Sequence, residues 1–309
     1  MPKLSDAGEK AVIQHLISLF DPKSLQDIGD DCAILDSGDS FLLVTTDMIT
    51  RATHMPENAS PEDIGWYAAA VNLSDIAAMG GRPIGTLFAI GLPADTEEEW
   101  LDRLASGIHE CCSRYGVPVI GGDTKENPSL TISGTAVGRV PKSQILRRSG
   151  ARPGDILAMT GKLGRGIAWE LSGDANAILR VEPRVHEGQL LAESGAVTSC
   201  IDMSDGLSAS VHHLSKAGNV GFSVEADRLP LLDGLKASDR EKAMHWGGDY
   251  ELLFTVNPKK ADSLFQSDLG CPVTGIGTVT EDKAIMLLKG DGKKHLPDRG
   301  YEHFRGARS

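Results

Sequence analysis

The run "SPEDIGWYAAAVNLSDIAAMGG" (60–81) constrains the fold more than any other segment. Ser60 is a helix-capping residue, Pro61 suits a first turn, acids follow, and Gly80–Gly81 close the run. Within it Ile64, Ala68, Val71, Asp75 and then Ala78 or Met79 fall on one helical face. A carboxylate therefore stands on the side that must meet a core. Burying it is costly unless it is paired or bound to metal. Few basic residues occur in the neighbouring motifs, which makes a metal ion the more economical partner.

Acids recur at similar places: "GDDCA" (Asp30, Asp31), "TTD" (Thr45, Thr46, Asp47), "GGDT" (Asp123), "DMSDG" (Asp202, Asp205) and "GGDYE" (Asp249, Glu251). Nearly all lie at a strand end or beside glycine. Taken singly, each reads as a turn residue or a helix cap. In "CIDMSDGLS" (200–208), Asp202 ends a strand and Asp205 precedes a helix. A negative charge there gains about 0.3–1 kcal/mol from the helix terminus. Ser204 either caps that helix or meets a nucleotide phosphate. Two acids where a phosphate site is expected make sense if Mg²⁺ lies between them, since it pairs carboxylates with substrate phosphates. Backbone N–H groups at Gly121 and Gly122 and the planar fork of Arg148 can touch phosphate directly. Of Arg147 and Arg148, one is expected to be a solvated surface charge, and Lys125 to be a lone exposed lysine.

The flanking segments mix strands and helices without strict β-α-β order. A helix is expected over 5–20, capped by Ser5 or Asp6, and another over 95–116 with Thr96 and Glu99 at capping-box spacing. Strands are expected at 41–47, "PIGTLFAIGLP", "VPVIGGDT" and "LTISGTAVGRV". The polar run "PKSQILRRSGARPGD" marks a boundary near 142–154, giving domains 1–141 and 142–309. In the second, strands "DILAMTG", "VGFSVEA", "YELLFTV", "VTGIGTV" and "AIMLLK" alternate with helices near 164–172, 184–194, 234–245 and 258–269. The fold class is mixed α/β (α+β), in two layered domains.

A formal net charge of -12 and no basic block argue against nucleic acid and for cationic partners. No apolar run is long enough for a membrane span. Five cysteines without C-x-x-C spacing fit a reducing compartment, and the first residues lack a signal-peptide core, so a cytoplasmic location is expected. No Walker A motif, strand-linked G-x-G-x-x-G, H-E-x-x-H, G-x-S-x-G or kinase H-R-D set occurs, which sets aside the commonest nucleotide, zinc-protease and serine-hydrolase chemistries.

"GDDCAIL", "TTDMITRATHM", "NLSDIAAMGGRP", "GGDTKENPSLTISGTAVG", "RRSGARPGD", "IDMSDGLSASVHHL", "GGDYELLF" and "RGYEHFRG" follow one another along the chain. As an ordered set they resemble the thiamine-monophosphate kinase family, within the superfamily of aminoimidazole ribotide synthetase and selenophosphate synthetase. The resemblance implies an N-terminal α/β domain that dimerises through its sheet, a C-terminal α/β domain, and ATP in the cleft between. It implies metal ligation by Asp30, Thr45, Thr46, Asp47, Asp75, Asp123, Asp202 and Asp205. ATP would meet Gly122, Asp123, Arg148 and Ser204, and thiamine monophosphate would meet His54, Glu251 and Phe304. Asp75, Asp123 and Arg148 would carry the catalysis. Two stretches depart from the family pattern: "MITRATHM" after Asp47, and Gly248 where the family carries an acid. Other readings are a different ATP-dependent synthetase of the superfamily, or a non-catalytic paralogue that binds nucleotide and metal.

Overall fold

The structure is a computed structural model and describes residues 4–20 and 28–304. Two short helices, α1 (Leu4–Ala7) and α2 (Glu9–Leu19), open it. The single helix expected over 5–20 is broken at Gly8, whose φ of 78° no helix contains. Then come β1 (Ala33–Ser37), β2 (Ser40–Thr50), α3 (Arg51–His54), α4 (Pro61–Ala78), β3 (Arg82–Leu92), α5 (Glu98–Arg114), β4 (Val119–Glu126) and β5 (Thr131–Pro141). The later part holds β6 (Ile156–Thr160), α6 (Arg165–Ser172), α7 (Asn176–Leu179), α8 (Val185–Ser194), β7 (Val197–Asp202), α9 (Leu207–Gly218) and β8 (Gly221–Glu225). It ends with α10 (Arg240–His245), β9 (Leu252–Val256), α11 (Pro258–Gln266), β10 (Val273–Thr280), β11 (Ile285–Lys289) and β12 (Gly292–His295).

The strands form two mixed sheets, one in the order β1-β2-β5-β3-β4 and the other β12-β11-β8-β10-β6-β9-β7. The fold is thus mixed α/β with two sheet units, in keeping with the irregular order of elements along the chain. Helix α4 lies at the centre. Ser60 accepts from the Asp63 N–H at 3.1 Å, Pro61 fills the first turn, and Gly80 turns the chain with φ 69°. Nearly every α4 residue is buried, so the helix has no polar face. It packs on β2, β5 and α5 on one side and on α8 and β7 on the other. One continuous core joins Leu43, Ile64, Leu73 and Ile132 to Cys200, Leu252 and Phe254, so the two sheets share the interior around this helix. A second core, built on Leu157, Leu207 and Phe222, fills the far side of the larger sheet.

Three local expectations change. The Thr96 hydroxyl turns back to the Pro93 carbonyl at 2.8 Å, and Glu97 rather than Thr96 holds the N-cap of α5. The helix expected over 234–245 splits into a 3₁₀ turn at Ala237–Asp239 and the short α10. The strand "YELLFTV" starts only at Leu252, because Tyr250 takes a left-handed φ of 52°. Helix α2 is tied to the chain's far end: Lys10 pairs with Asp298 at 2.8 Å, and Glu9 accepts from the His303 N–H at 2.9 Å. All five cysteines are free thiols, four of them buried. Among the described residues no helix is long and apolar enough to cross a membrane.

Candidate functional site

The carboxylates of Asp31, Asp75 and Asp202 converge, with one oxygen from each within 4.8 Å of the others. They arrive from a loop before β1, from α4 and from the end of β7, so the cluster draws on both sheet units. Asp75 accepts from the Thr45 hydroxyl at 2.5 Å, and Asp202 from the Ser74 hydroxyl at 2.6 Å. Burial, with Asp47, Asp202 and Asp31 close by, pushes the Asp75 carboxyl well above the usual range. Burial and then Asp31 push Asp202 up to about 8. Asp47 is raised by burial and Asp31, and Asp205 is raised to about 6 by burial and Glu9. Negative charge has been concentrated beyond what the protein's own cations balance. Hard oxygen donors crowded in this way suit a divalent cation such as Mg²⁺.

Asp47 is positioned by its own N–H, which donates to the Asn72 side chain at 3.1 Å. Thr45 and Asp47 point toward α4. Thr46, between them, points to the other face of β2, where its hydroxyl bonds the Gly134 carbonyl at 2.8 Å. Asp123 is also on that other face: it pairs across the sheet with Ala89, one row from the Asp47–Gly134–Phe88–Gly122 row. It is exposed, 3.4 Å from Lys125. The single chain therefore does not bring the Thr46 and Asp123 side chains to the carboxylate cluster, because strand alternation turns them away. Gly122 lies on the edge strand β4, every residue of which is exposed.

Asp30 and Asp31 divide between two arginines. Asp30 accepts from the Arg148 N–H at 2.8 Å and the Arg147 guanidinium at 3.1 Å. Asp31 binds the Arg148 guanidinium at 2.7 and 3.3 Å. Both arginines are thus partnered, contrary to the expectation of one free surface charge. Asp31 is the residue that sequence reasoning left out of the metal set. The only signal for it was the acidic doublet facing an arginine doublet, which does not say which member turns inward. Ser204 does not cap α9, whose N-cap is Gly206. It lies in the turn between Asp202 and Asp205.

His54, Tyr301, His303 and Phe304 gather into one group, tied to the acidic turn where the Tyr301 N–H donates to the Asp205 carbonyl at 3.2 Å. The His54 ring is 5.2 Å from that of His303 and 6.5 Å from that of Tyr301, and His303 is 6.5 Å from Phe304. Burial and then His303 lower the His54 pKa to about 4, so the imidazole is neutral at pH 7. Its Nδ1 accepts from the Thr50 N–H at 3.2 Å. His303 lies within the run "RGYEHFRG", from which only Phe304 is expected at the substrate; nothing local in that run says that the imidazole of His303 would meet His54. Glu251, expected at the substrate, is instead buried and held by Arg184 through two 2.6 Å bonds and by the Thr160 hydroxyl at 2.6 Å. Those contacts occupy both carboxylate oxygens. Asp249 caps α6, accepting from the Gly164 and Arg165 N–H groups at 2.8 and 3.0 Å.

Two family models match the chain: AIR synthase related protein, N-terminal domain, over 29–140, and its C-terminal domain over 152–288. The chain belongs to the AIR synthase related family. Within that family it is 34% identical to the thiamine-monophosphate kinase of Pyrococcus horikoshii, covering 96% of each chain. It is 39% identical to that of Methanospirillum hungatei, covering 89% of this chain and 92% of the relative. Among solved structures, AaThiL complexed with AMPPCP and TMP superposes with a TM-score of 0.85 and 28% identity, covering 98% of this chain and 99% of that one. A thiamine-monophosphate kinase from Stenotrophomonas maltophilia gives 0.76 and 32%, over 89% and 95%.

Proposed function

We propose that this protein is a thiamine-monophosphate kinase, converting ATP and thiamine monophosphate to ADP and thiamine diphosphate. The observation that carries the reading is end-to-end likeness to relatives of that name. At residue level it is met by the carboxylate trio of Asp31, Asp75 and Asp202.

In the transfer, a phosphate oxygen of thiamine monophosphate bonds the γ-phosphorus of ATP while the bond to the β–γ bridging oxygen breaks. The electron pair leaves with ADP. A phosphomonoester has its second pKa near 6, so the attacking oxygen is largely ionised at neutral pH and no strong base is needed. With its pKa lowered to about 4, His54 is a weak base that this transfer does not call on, and we read it as a substrate contact. Catalysis rests on alignment and charge neutralisation. Mg²⁺, when bound, supplies most of the positive charge that the polyphosphate requires.

Asp31, Asp75 and Asp202, with Asp47 and Asp205, are the residues we assign to hold the metal. Asp30 orients the 147–148 segment through its bonds to Arg147 and Arg148. We assign the Arg148 fork, now on Asp31, to phosphate oxygens of ATP, with Ser204, in the turn between Asp202 and Asp205, as a second contact. Thr46, Gly122 and Asp123 remain proposed contacts, though their strand face is turned from the trio. Tyr301 and Phe304 offer ring faces to the cationic thiazolium, worth about 0.5–2 kcal/mol. Glu251 is better read as a structural anion.

We further place the domain division near 142–154 and the enzyme in the cytoplasm. We also infer a homodimer through the open face of the smaller sheet, where Leu35, Met48, Ile84 and Ile120 stand exposed. The deciding experiment incubates the purified chain with ATP, Mg²⁺ and thiamine monophosphate and separates the products. Thiamine diphosphate formed one-for-one with ADP supports the reading. ATP turnover with another acceptor and none with thiamine monophosphate overturns it.

A further inference from the structure

The phenols of Tyr67 and Tyr250 meet at 2.8 Å in the interior, with their rings edge to face at 5.8 Å and 82°. Tyr67 lies on α4 and Tyr250 on the approach to β9, so the bond spans the two sheet units. Each hydroxyl is the other's hydrogen-bond partner, and both side chains are buried.

The placement of Tyr250 is unusual. Its φ of 52° is left-handed, a conformation that a bulky residue rarely takes and that the surroundings must hold in place. That turn sends the ring toward α4 instead of along the strand. The backbone around it is stitched to the acidic turn: Tyr250 N–H donates to the Met203 carbonyl at 3.0 Å, Met203 N–H to Glu251 at 2.9 Å, and Gly248 N–H to Ser204 at 2.7 Å. Met203 directly follows Asp202. On α4, Ser74 and Asp75 lie about two turns beyond Tyr67 on the same face. Ser74 bonds Asp202 itself at 2.6 Å. The helix that carries Asp75 and the strand end that carries Asp202 are therefore joined twice, once at the acids and once at the tyrosines.

We propose that the Tyr67–Tyr250 pair is a positioning latch that sets the gap between Asp75 and Asp202 which divalent cations must bridge. The inference rests on the metal reading given above. Neither tyrosine touches the reacting atoms. Their role is to hold the two segments that carry these acids, α4 and the end of β7, at the separation seen here, with one carboxylate oxygen of each within 4.8 Å of the other.

The test uses the full chain as Tyr67→Phe, Tyr250→Phe and the double Phe variant. Saturable binding of Mn²⁺ alone is followed by electron paramagnetic resonance, thiamine diphosphate formation is titrated with Mg²⁺, and thermal unfolding is recorded for each. The latch predicts a metal midpoint raised about 10-fold in each single variant, with kcat at saturating Mg²⁺ near that of the unaltered chain. The double variant loses the same one bond, so its midpoint matches the singles instead of compounding them. It strands no hydroxyl in the core, and it carries the test if a single variant fails to fold. Lowered thermal stability with an unchanged metal midpoint overturns the proposal, since a purely structural pair would behave that way. Absence of saturable Mn²⁺ binding by the unaltered chain overturns it too. If the unaltered chain binds Mn²⁺ but makes no thiamine diphosphate, the kinase reading fails while the Mn²⁺ comparison still decides the latch.

Discussion

Asp202 binds a proton in the folded chain under conditions where an ordinary aspartate has lost it. Burial and Asp31 push its pKa up to about 8, against 3.8 for the free side chain. Between those values the folded state holds a proton that the unfolded state lacks, so the contribution to stability is complete below the lower pKa and lost as pH rises through the upper one. The metal-free protein should therefore melt lower as pH rises from about 5.5 to about 8.5, and Mg²⁺ should restore more stability at the higher pH. Calorimetry in chelator and in Mg²⁺ checks both; a melting point that rises with pH in chelator contradicts the crowding. Asp75→Asn and Asp202→Asn each remove a charge that should hold metal. Several kcal/mol of charge stabilisation go with it, so turnover should fall about 100-fold or more, while the metal-free fold is retained or strengthened. Initial rates and melting curves measure the two together. Glu251 should behave in the opposite way. Glu251→Ala removes the two short bonds to the half-buried Arg184, leaving it only the longer 3.4 Å pairing with Glu187, and should cost about 1–3 kcal/mol of stability. The KM for thiamine monophosphate should stay unchanged in the folded fraction. A raised KM with unchanged stability would return Glu251 to the substrate site.

Helix α4 shows what local sequence can and cannot convey about an element. Its cap, its first-turn proline and its terminal glycine were all legible, because each acts within a few residues. Its surroundings were not. The apolar stripe through Asp75 suggested one buried side, whereas the helix is buried all round, gripped by α5 and α8. Small residues make that grip possible. A methyl group on Gly65 would sit 2.1 Å from the Leu104 carbonyl oxygen, and one on Gly107 would sit 2.0 Å from that of Glu62. Gly65→Ala and Gly107→Ala should each force the helices apart, at about 1–3 kcal/mol. Urea midpoints at constant slope read that cost, and a neutral result would mean the helices have slack. The Thr96 cap failed for a related reason: capping-box spacing says a bond is possible, and the backbone of the Pro93 turn claimed the hydroxyl first. Thr46 and Asp123 show the same limit in strands. Alternation decides which face a side chain takes, but the register that sets it belongs to the whole sheet.

At the scale of the molecule, the open face of the smaller sheet leaves Met48 61% and Ile120 59% exposed, large apolar groups that a stable surface would cover. The proposed homodimer predicts that the unaltered chain sediments as a dimer and that Ile120→Lys shifts it toward monomer in sedimentation velocity, with its own fold intact. An unaltered chain that sediments as a monomer, or a variant that stays dimeric, contradicts a dimer through this face. The sequence by itself determined most of the kinds of elements, the cap, first-turn proline and closing glycines of α4, the mixed α/β class and the place of Asp202 at a strand end. These are short-range properties, set by periodicity, backbone preference and turn chemistry over a few residues. Only the tertiary structure decided that Asp31 joins Asp75 and Asp202, that Thr46 and Asp123 face away, and that Glu251 belongs to Arg184. Those outcomes depend on how two sheets close around one buried helix. Segments far apart in the chain become neighbours there through packing, which no local pattern records.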